Sequence, residues 1–99
     1  MQRFDDPAGP IQVQARKTFS ISLEGNPTTG YTWQANVESH YLAVVGQTFE
    51  LNSEAVGAGG HEVFQFRART KGTTEISFQC RRPWGGEPRD TRNLQVVIT

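Results

Sequence analysis

Apolar residues in this chain recur with a period of two and almost nowhere with a period of 3.6, which restricts it to strands. Ile11, Val13 and Ala15 alternate with polar neighbours, as do Phe19, Ile21 and Leu23, and then Tyr31, Trp33 and Ala35. Residues 42–51 are mixed, with Val44 or Val45 and Phe49 expected to face inward. Phe64, Phe66 and Ala68 resume the pattern, followed by Ile76, Phe78 and Cys80, and by Leu94, Val96 and Ile98. Each run offers one apolar face, as a sheet buried on one side requires. The one helical candidate is a single turn over residues 38–42. Turn-forming stretches separate the runs: GNPTTG at 25–30, NSEAVGAGG at 52–60, KGTT at 71–74 and RPWGGEP at 82–88. The expected fold is all-β, an Ig-like antiparallel β-sandwich of about seven to eight strands.

At 99 residues the chain makes one domain with one core, residues 1–99, of which 1–10 are expected to be a flexible N-terminal segment. Cys80 is the sole cysteine, so there is no internal disulfide and no inter-sheet bridge of the antibody kind. Packing alone must hold the fold, with a margin on the order of 5–10 kcal/mol. Lysine plus arginine equal aspartate plus glutamate at ten each. Nucleic acid and anionic membranes both select a basic excess, so neither is an expected partner. No apolar run nears the ~20 residues that span a bilayer. The opening MQRFDDPAGP does not read as a leader, although processing can remove one, so the compartment stays open. Pro27 blocks the glycosylation look-alike Asn26-Pro27-Thr28.

Connections in a sandwich alternate between its two ends. Counted along the strands above, the connections after Leu23, Asn52 and Arg81 fall at one end and the KGTT hairpin at the other. Three constrained loops at one pole of a rigid scaffold suit a binding edge.

Little here suits catalysis. Cys80 with His40 or His61 is the only cysteine–histidine combination, and Cys80 shares the inward phase of Ile76 and Phe78, as a buried inert thiol would. The same three residues are too few for a metal site, and the glycines at 57–60 lead into no phosphate-loop lysine. No cofactor is expected. Asp5 and Asp6 read as solvated charges in a frayed terminus. Trp33, on a central strand, reads as a core residue. Trp84, between Pro83 and Gly85, has no core to join and reads as a binding residue. In GNPTTG, Pro27 presets a turn, Asn26 braces it, Thr28 and Thr29 stiffen the apex and Gly30 permits a tight exit. A stiff loop loses little entropy on binding.

The segments NPTTGYTW at 26–33, GAGG at 57–60 and RPWG at 82–85, in that order, resemble the chagasin family of cysteine-peptidase inhibitors. The resemblance covers essentially the whole chain. It implies a tight, reversible, competitive inhibitor rather than an enzyme. The partner it implies is a papain-like cysteine protease of the cathepsin L or B type, met by a monomer that inserts three loops into the active-site cleft. Carried over, Thr28 would meet the catalytic cysteine, while Asn26, Pro27, Thr29 and Gly30 shape the first loop. Val56, Gly57, Ala58, Gly59 and Gly60 would run beside the cleft, where small residues let two backbones pair closely. Arg82, Pro83, Trp84 and Gly85 would place an indole on an aromatic surface of the enzyme. Residues 81–92 carry four arginines against Glu87 and Asp90, a local basic excess suited to an acidic surface. Two other readings use the same loop end: an Ig-like adhesion or carbohydrate-binding module, and an enzyme's accessory subunit.

Overall fold

The alternating runs become strands because each can bury one face against a second sheet. The computed structural model describes residues 1–25, 30–51 and 59–99. Among these lie eight strands: β1 (Gln2–Asp5), β2 (Ile11–Val13), β3 (Thr18–Gly25), β4 (Thr32–Asn36), β5 (Leu42–Leu51), β6 (Gly60–Ala68), β7 (Gly72–Arg81) and β8 (Asp90–Ile98). They form two four-stranded sheets, ordered β1-β3-β6-β5 and β2-β8-β7-β4. No helix occurs among the described residues. The expected turn at 38–42 is a single one, with the Tyr41 and Leu42 N–H groups both donating to the Glu38 carbonyl.

The inward phases meet as the alternation requires. Phe19, Phe64, Phe66 and Phe78 are each at most 1% exposed and form the centre of the core. Phe19 stacks on Phe66 at 5.4 Å between centroids, and Phe78 packs against Phe64 at 5.5 Å, joining the sheets. Ile21, Leu23, Trp33, Ile76, Val96 and Ile98 are among the buried residues packed around them.

Two regions depart from expectation. The first is β5, where Val44 and Val45 are 43% and 52% exposed and only Phe49 is half-buried. A register shift between Val44 and Gly46 leaves Val45 as an extra residue, and β5 is an edge strand with a neighbour on one side only. The second is the opening segment, expected to be flexible. It carries β1, which pairs in parallel with β3. The strand expected from Ile11 and Val13 follows it as β2, which pairs in parallel with β8. Asp5 and Asp6 are therefore not simply solvated. Asp5 accepts hydrogen bonds from Ser22 Oγ at 2.7 Å and Arg3 Nε at 2.8 Å. The same guanidinium reaches across the outer face of the sheet to both carboxylate oxygens of Glu50, at 2.8 and 3.1 Å. Asp6 pairs with Arg92 of the other sheet. The Ser22 hydrogen bond, reinforced by Arg3, holds the Asp5 carboxyl below the usual carboxylate range, and Arg3 does the same for Glu50.

Candidate functional site

Strand register brings the flanks of three connections to one end. Gly25, which closes β3, pairs with Gly60, which opens β6, and Gly60 also pairs with Leu51 at the end of β5. On the other sheet Thr32 pairs with Arg81, and Cys80 with Asp90. A hollow of about 470 Å³ lies between these flanks, lined by Gly25 and Tyr31, Gly59 and Gly60, and Arg89 and Asp90. The β6–β7 hairpin lies at the opposite end with Arg16 and Thr99. Of the residues singled out for binding, Asn26, Pro27, Thr28, Thr29, Val56, Gly57 and Ala58 lie outside the described residues. Gly30, Gly59, Gly60, Arg82, Pro83, Trp84 and Gly85 are described, and all sit at this end.

The third connection is organised by its own backbone and by one arginine. Arg89 N–H donates to the Cys80 carbonyl at 2.7 Å and closes the base, while Gly85 N–H donates to Arg82 O at 3.1 Å and forms the turn. Arg81 Nη2 donates to Gly86 O at 2.9 Å. Trp84 stands out from this frame with 74% of its surface exposed, in contrast to Trp33 at 4%. Its ring leans toward the first connection. Gly30 has φ +82°, in the left-handed region that favours glycine, and a Cβ placed there would lie 3.5 Å from Trp84 Cη2. Next to Gly30, the half-buried Tyr31 ring carries two guanidiniums of the third connection, with Arg82 Cζ at 4.8 Å and Arg89 Cζ at 5.3 Å from its centroid.

Beneath the loops, side chains tie the sheets together. Trp33 is the second residue of β4, and its indole N–H donates to the Glu24 carbonyl of β3 at 2.8 Å. Its backbone N–H donates to Glu62 Oε2 at 2.6 Å. Glu62 is 8% exposed and shares the inward phase of Phe64 and Phe66, so a carboxylate stands where alternation puts a core residue. Burial pushes its pKa up, against the pull of the Trp33 hydrogen bond. Reading only apolar alternation missed Glu62; its even-numbered phase on β6 was the available signal. Tyr31 carries no site signal in the sequence, because it continues the alternation of Trp33 and Ala35.

Gly60 serves the fold directly. A side chain there would overlap the Glu50 carbonyl and come within 2.6 Å of Phe49 Cζ, so only glycine allows β5 and β6 to pair at the base of the second connection. Cys80 is half-buried rather than fully buried, because β7 outruns the core at this end and the thiol borders the hollow. Desolvation and the nearby Glu62 push its pKa up, which keeps it a thiol. His61 lies on the outward phase of β6, and His40 packs edge-on against Tyr41 at 4.9 Å near the other end. No nucleophile–base pair is assembled from them. Among the described residues no group of three or more metal-ligating side chains occurs.

Comparison with known proteins places the chain. A family model described as chagasin family peptidase inhibitor I42 matches residues 12–98. Chagasin of Trypanosoma cruzi is 28% identical over 94 residues, covering 89% of this chain and 86% of that protein. The crystal structure of the cysteine protease inhibitor EhICP2 from Entamoeba histolytica superposes with a TM-score of 0.80 at 25% identity, covering 99% of this chain and 95% of that one. The fold is also shared with PbICP-C, solved in complex with falcipain-2, with a TM-score of 0.70 at 14% identity and all of both chains covered.

Proposed function

The chain belongs to the chagasin family of peptidase inhibitors, and from that premise we propose that it is a tight-binding, reversible, competitive inhibitor of papain-like cysteine proteases. The target class we infer is the cathepsin L or B type, bound by a monomer. The observation that carries this reading is the convergence at one end of the flanks of all three connections, with an exposed Trp84 beside Gly30. The family is one of inhibitors, not of enzymes.

The mechanism follows from what a protease needs. Cleavage requires an extended peptide whose carbonyl reaches the nucleophile and the oxyanion donors together. In our reading Asn26-Pro27-Thr28-Thr29-Gly30 enters the cleft as a stiff turn that blocks the nucleophile and offers no carbonyl in attack geometry. Val56, Gly57, Ala58 and Gly59 run alongside and pair main chain to main chain, with Gly60 fixing the base of that loop. Arg82, Pro83, Trp84 and Gly85 form the third contact, where the indole buries on the enzyme on the order of 200 Å² of mostly apolar surface. No covalent bond is involved. Rigidity of the frame matters because disorder in any loop would have to be removed on binding.

Titrating papain with the protein tests this. Activity should fall to zero at about one equivalent and return on dilution, and mass spectrometry should show the inhibitor uncut. Progressive clipping between Asn26 and Gly30 would make the chain a slow substrate and end the proposal.

A further inference from the structure

We propose that Tyr31 is a positioning residue: its ring holds Arg82 and Arg89 of the third connection and so presents Trp84 beside Gly30. The proposal rests on the inhibitor reading and adds a residue that meets no enzyme itself.

The backbone of the third connection fixes its base and its turn, through Arg89 N–H to Cys80 O and Gly85 N–H to Arg82 O. Neither bond sets how the loop leans. The lean comes from contacts with residues 30 and 31. Arg82 Cζ lies 4.8 Å and Arg89 Cζ 5.3 Å from the Tyr31 centroid, both inside the ~6 Å range of cation–π attraction. Arg82 also reaches Trp84, at 5.7 Å, so one guanidinium connects the two rings. The ion pairs of Arg3 and Arg92 go to Asp5, Glu50, Asp6 and Asp90, and none among the described residues involves Arg82 or Arg89. The tyrosine ring is therefore the described partner that the two cations share. Gly30 completes the arrangement by leaving room for the indole edge.

The consequence is energetic coupling between the first and third loops. A loop that occupies its binding-competent lean only part of the time binds more weakly by that fraction. Two partly exposed cation–π contacts together are equivalent to about 5- to 30-fold in a population. Loss of the ring should thus weaken inhibition about tenfold without any contact to the enzyme being removed.

The test compares papain inhibition by the parent, Tyr31→Phe and Tyr31→Leu, each also in a Trp84→Ala background. Tyr31→Phe keeps the ring face and should stay within about twofold of the parent. Tyr31→Leu should weaken inhibition about tenfold, yet cost less than about twofold once Trp84 is already alanine. A loss that is the same in both backgrounds would overturn the proposal, since Tyr31 would then act by touching the enzyme or by general destabilisation. A second readout needs no enzyme. In ¹⁵N relaxation of the free protein, the Trp84 indole N–H should become more mobile in Tyr31→Leu while the Trp33 indole is unchanged. An unchanged Trp84 indole overturns the clamp even if the parent inhibits, and a parent that fails to inhibit papain leaves this arm to decide. If Tyr31→Leu does not fold, Arg89→Gln removes one cation from the ring, and must loosen the same indole.

Discussion

The two ends of the sandwich are closed by different means. At the hairpin end the main chain does the joining. Ala15 N–H donates to Thr99 O and Thr99 N–H to Val13 O, while Arg16 N–H donates to Ala68 O and Ala68 N–H to Lys17 O. Arg69 N–H donates to Tyr41 O, bringing β6 to the start of β5. At the loop end the joining is done by side chains: the Trp33 indole on Glu24 O, the Glu62 carboxylate on Trp33 N–H, and two guanidiniums over Tyr31. Main-chain bonds tolerate almost any sequence, whereas side-chain links are lost with one substitution. At the loop end no backbone bond between the two sheets occurs among the described residues, so its shape depends on particular side chains.

Replacing the tryptophans separates frame from contact. Trp33→Ala removes a buried ring and a cross-sheet hydrogen bond, and should destabilise the fold by ~3–5 kcal/mol in denaturant unfolding. Little change would mean that side chains do not hold the loop end together. Trp84→Ala should leave unfolding unchanged and weaken protease inhibition by ~2–4 kcal/mol, or ~30- to 1,000-fold. Unfolding of that variant, or inhibition within about twofold of the parent, would return Trp84 to a structural role. Thr28→Ala removes a methyl and a hydroxyl and should cost less than ~1.5 kcal/mol of binding, read from the inhibition constant. Thr28→Phe should cost more, because a bulky apex would stop the other loops from seating.

How far the sequence carried these assignments differs by region. Alternation located Phe19, Phe64, Phe66 and Phe78 because one-sided burial acts on each strand locally. It failed in β5, where a bulge at Val45 is set by pairing with β6 and not by the strand's own residues. It did not locate β1 in the opening segment, which pairs with β3 and whose Arg3 and Asp6 reach the distant Glu50 and Arg92. At the candidate site, the exposure of Trp84 was legible from its proline–glycine setting. The Glu62–Trp33 link was not, since an acid on an apolar phase has no partner until the second sheet is in place. Nor was the Tyr31 stack, which needs both loops folded.

Two smaller effects sharpen the contrast. Cys80 is only half-buried, so Cys80→Ser should cost less than ~1 kcal/mol in thermal or denaturant unfolding, with inhibition by the folded protein unchanged. Loss of inhibition without loss of stability would make the thiol functional. Glu62 gives a pH signature. Its pKa is raised by burial, so its contribution to stability is fully present below the ordinary carboxylate value and is lost as pH rises through the folded value. Asp5 and Glu50, lowered by their hydrogen bonds, act in the opposite sense and lose their contribution as pH falls. Glu62→Gln should therefore gain on the parent in unfolding midpoint as pH rises from 4 to 8. A difference that is flat or shrinks with pH would show that the carboxylate is not strained by burial.

Under the proposed function the protease binds entirely at the side-chain-built end, and mapping the bound surface tests that most directly. The ¹⁵N-labelled protein would be titrated with papain whose catalytic cysteine is replaced by alanine, and amide and indole shifts followed to saturation. Changes should concentrate at Gly30, Gly59, Gly85 and the Trp84 indole, with Arg16, Arg69 and Lys71 unmoved. Changes centred on Arg69 and Lys71, or none at saturating enzyme, would contradict it.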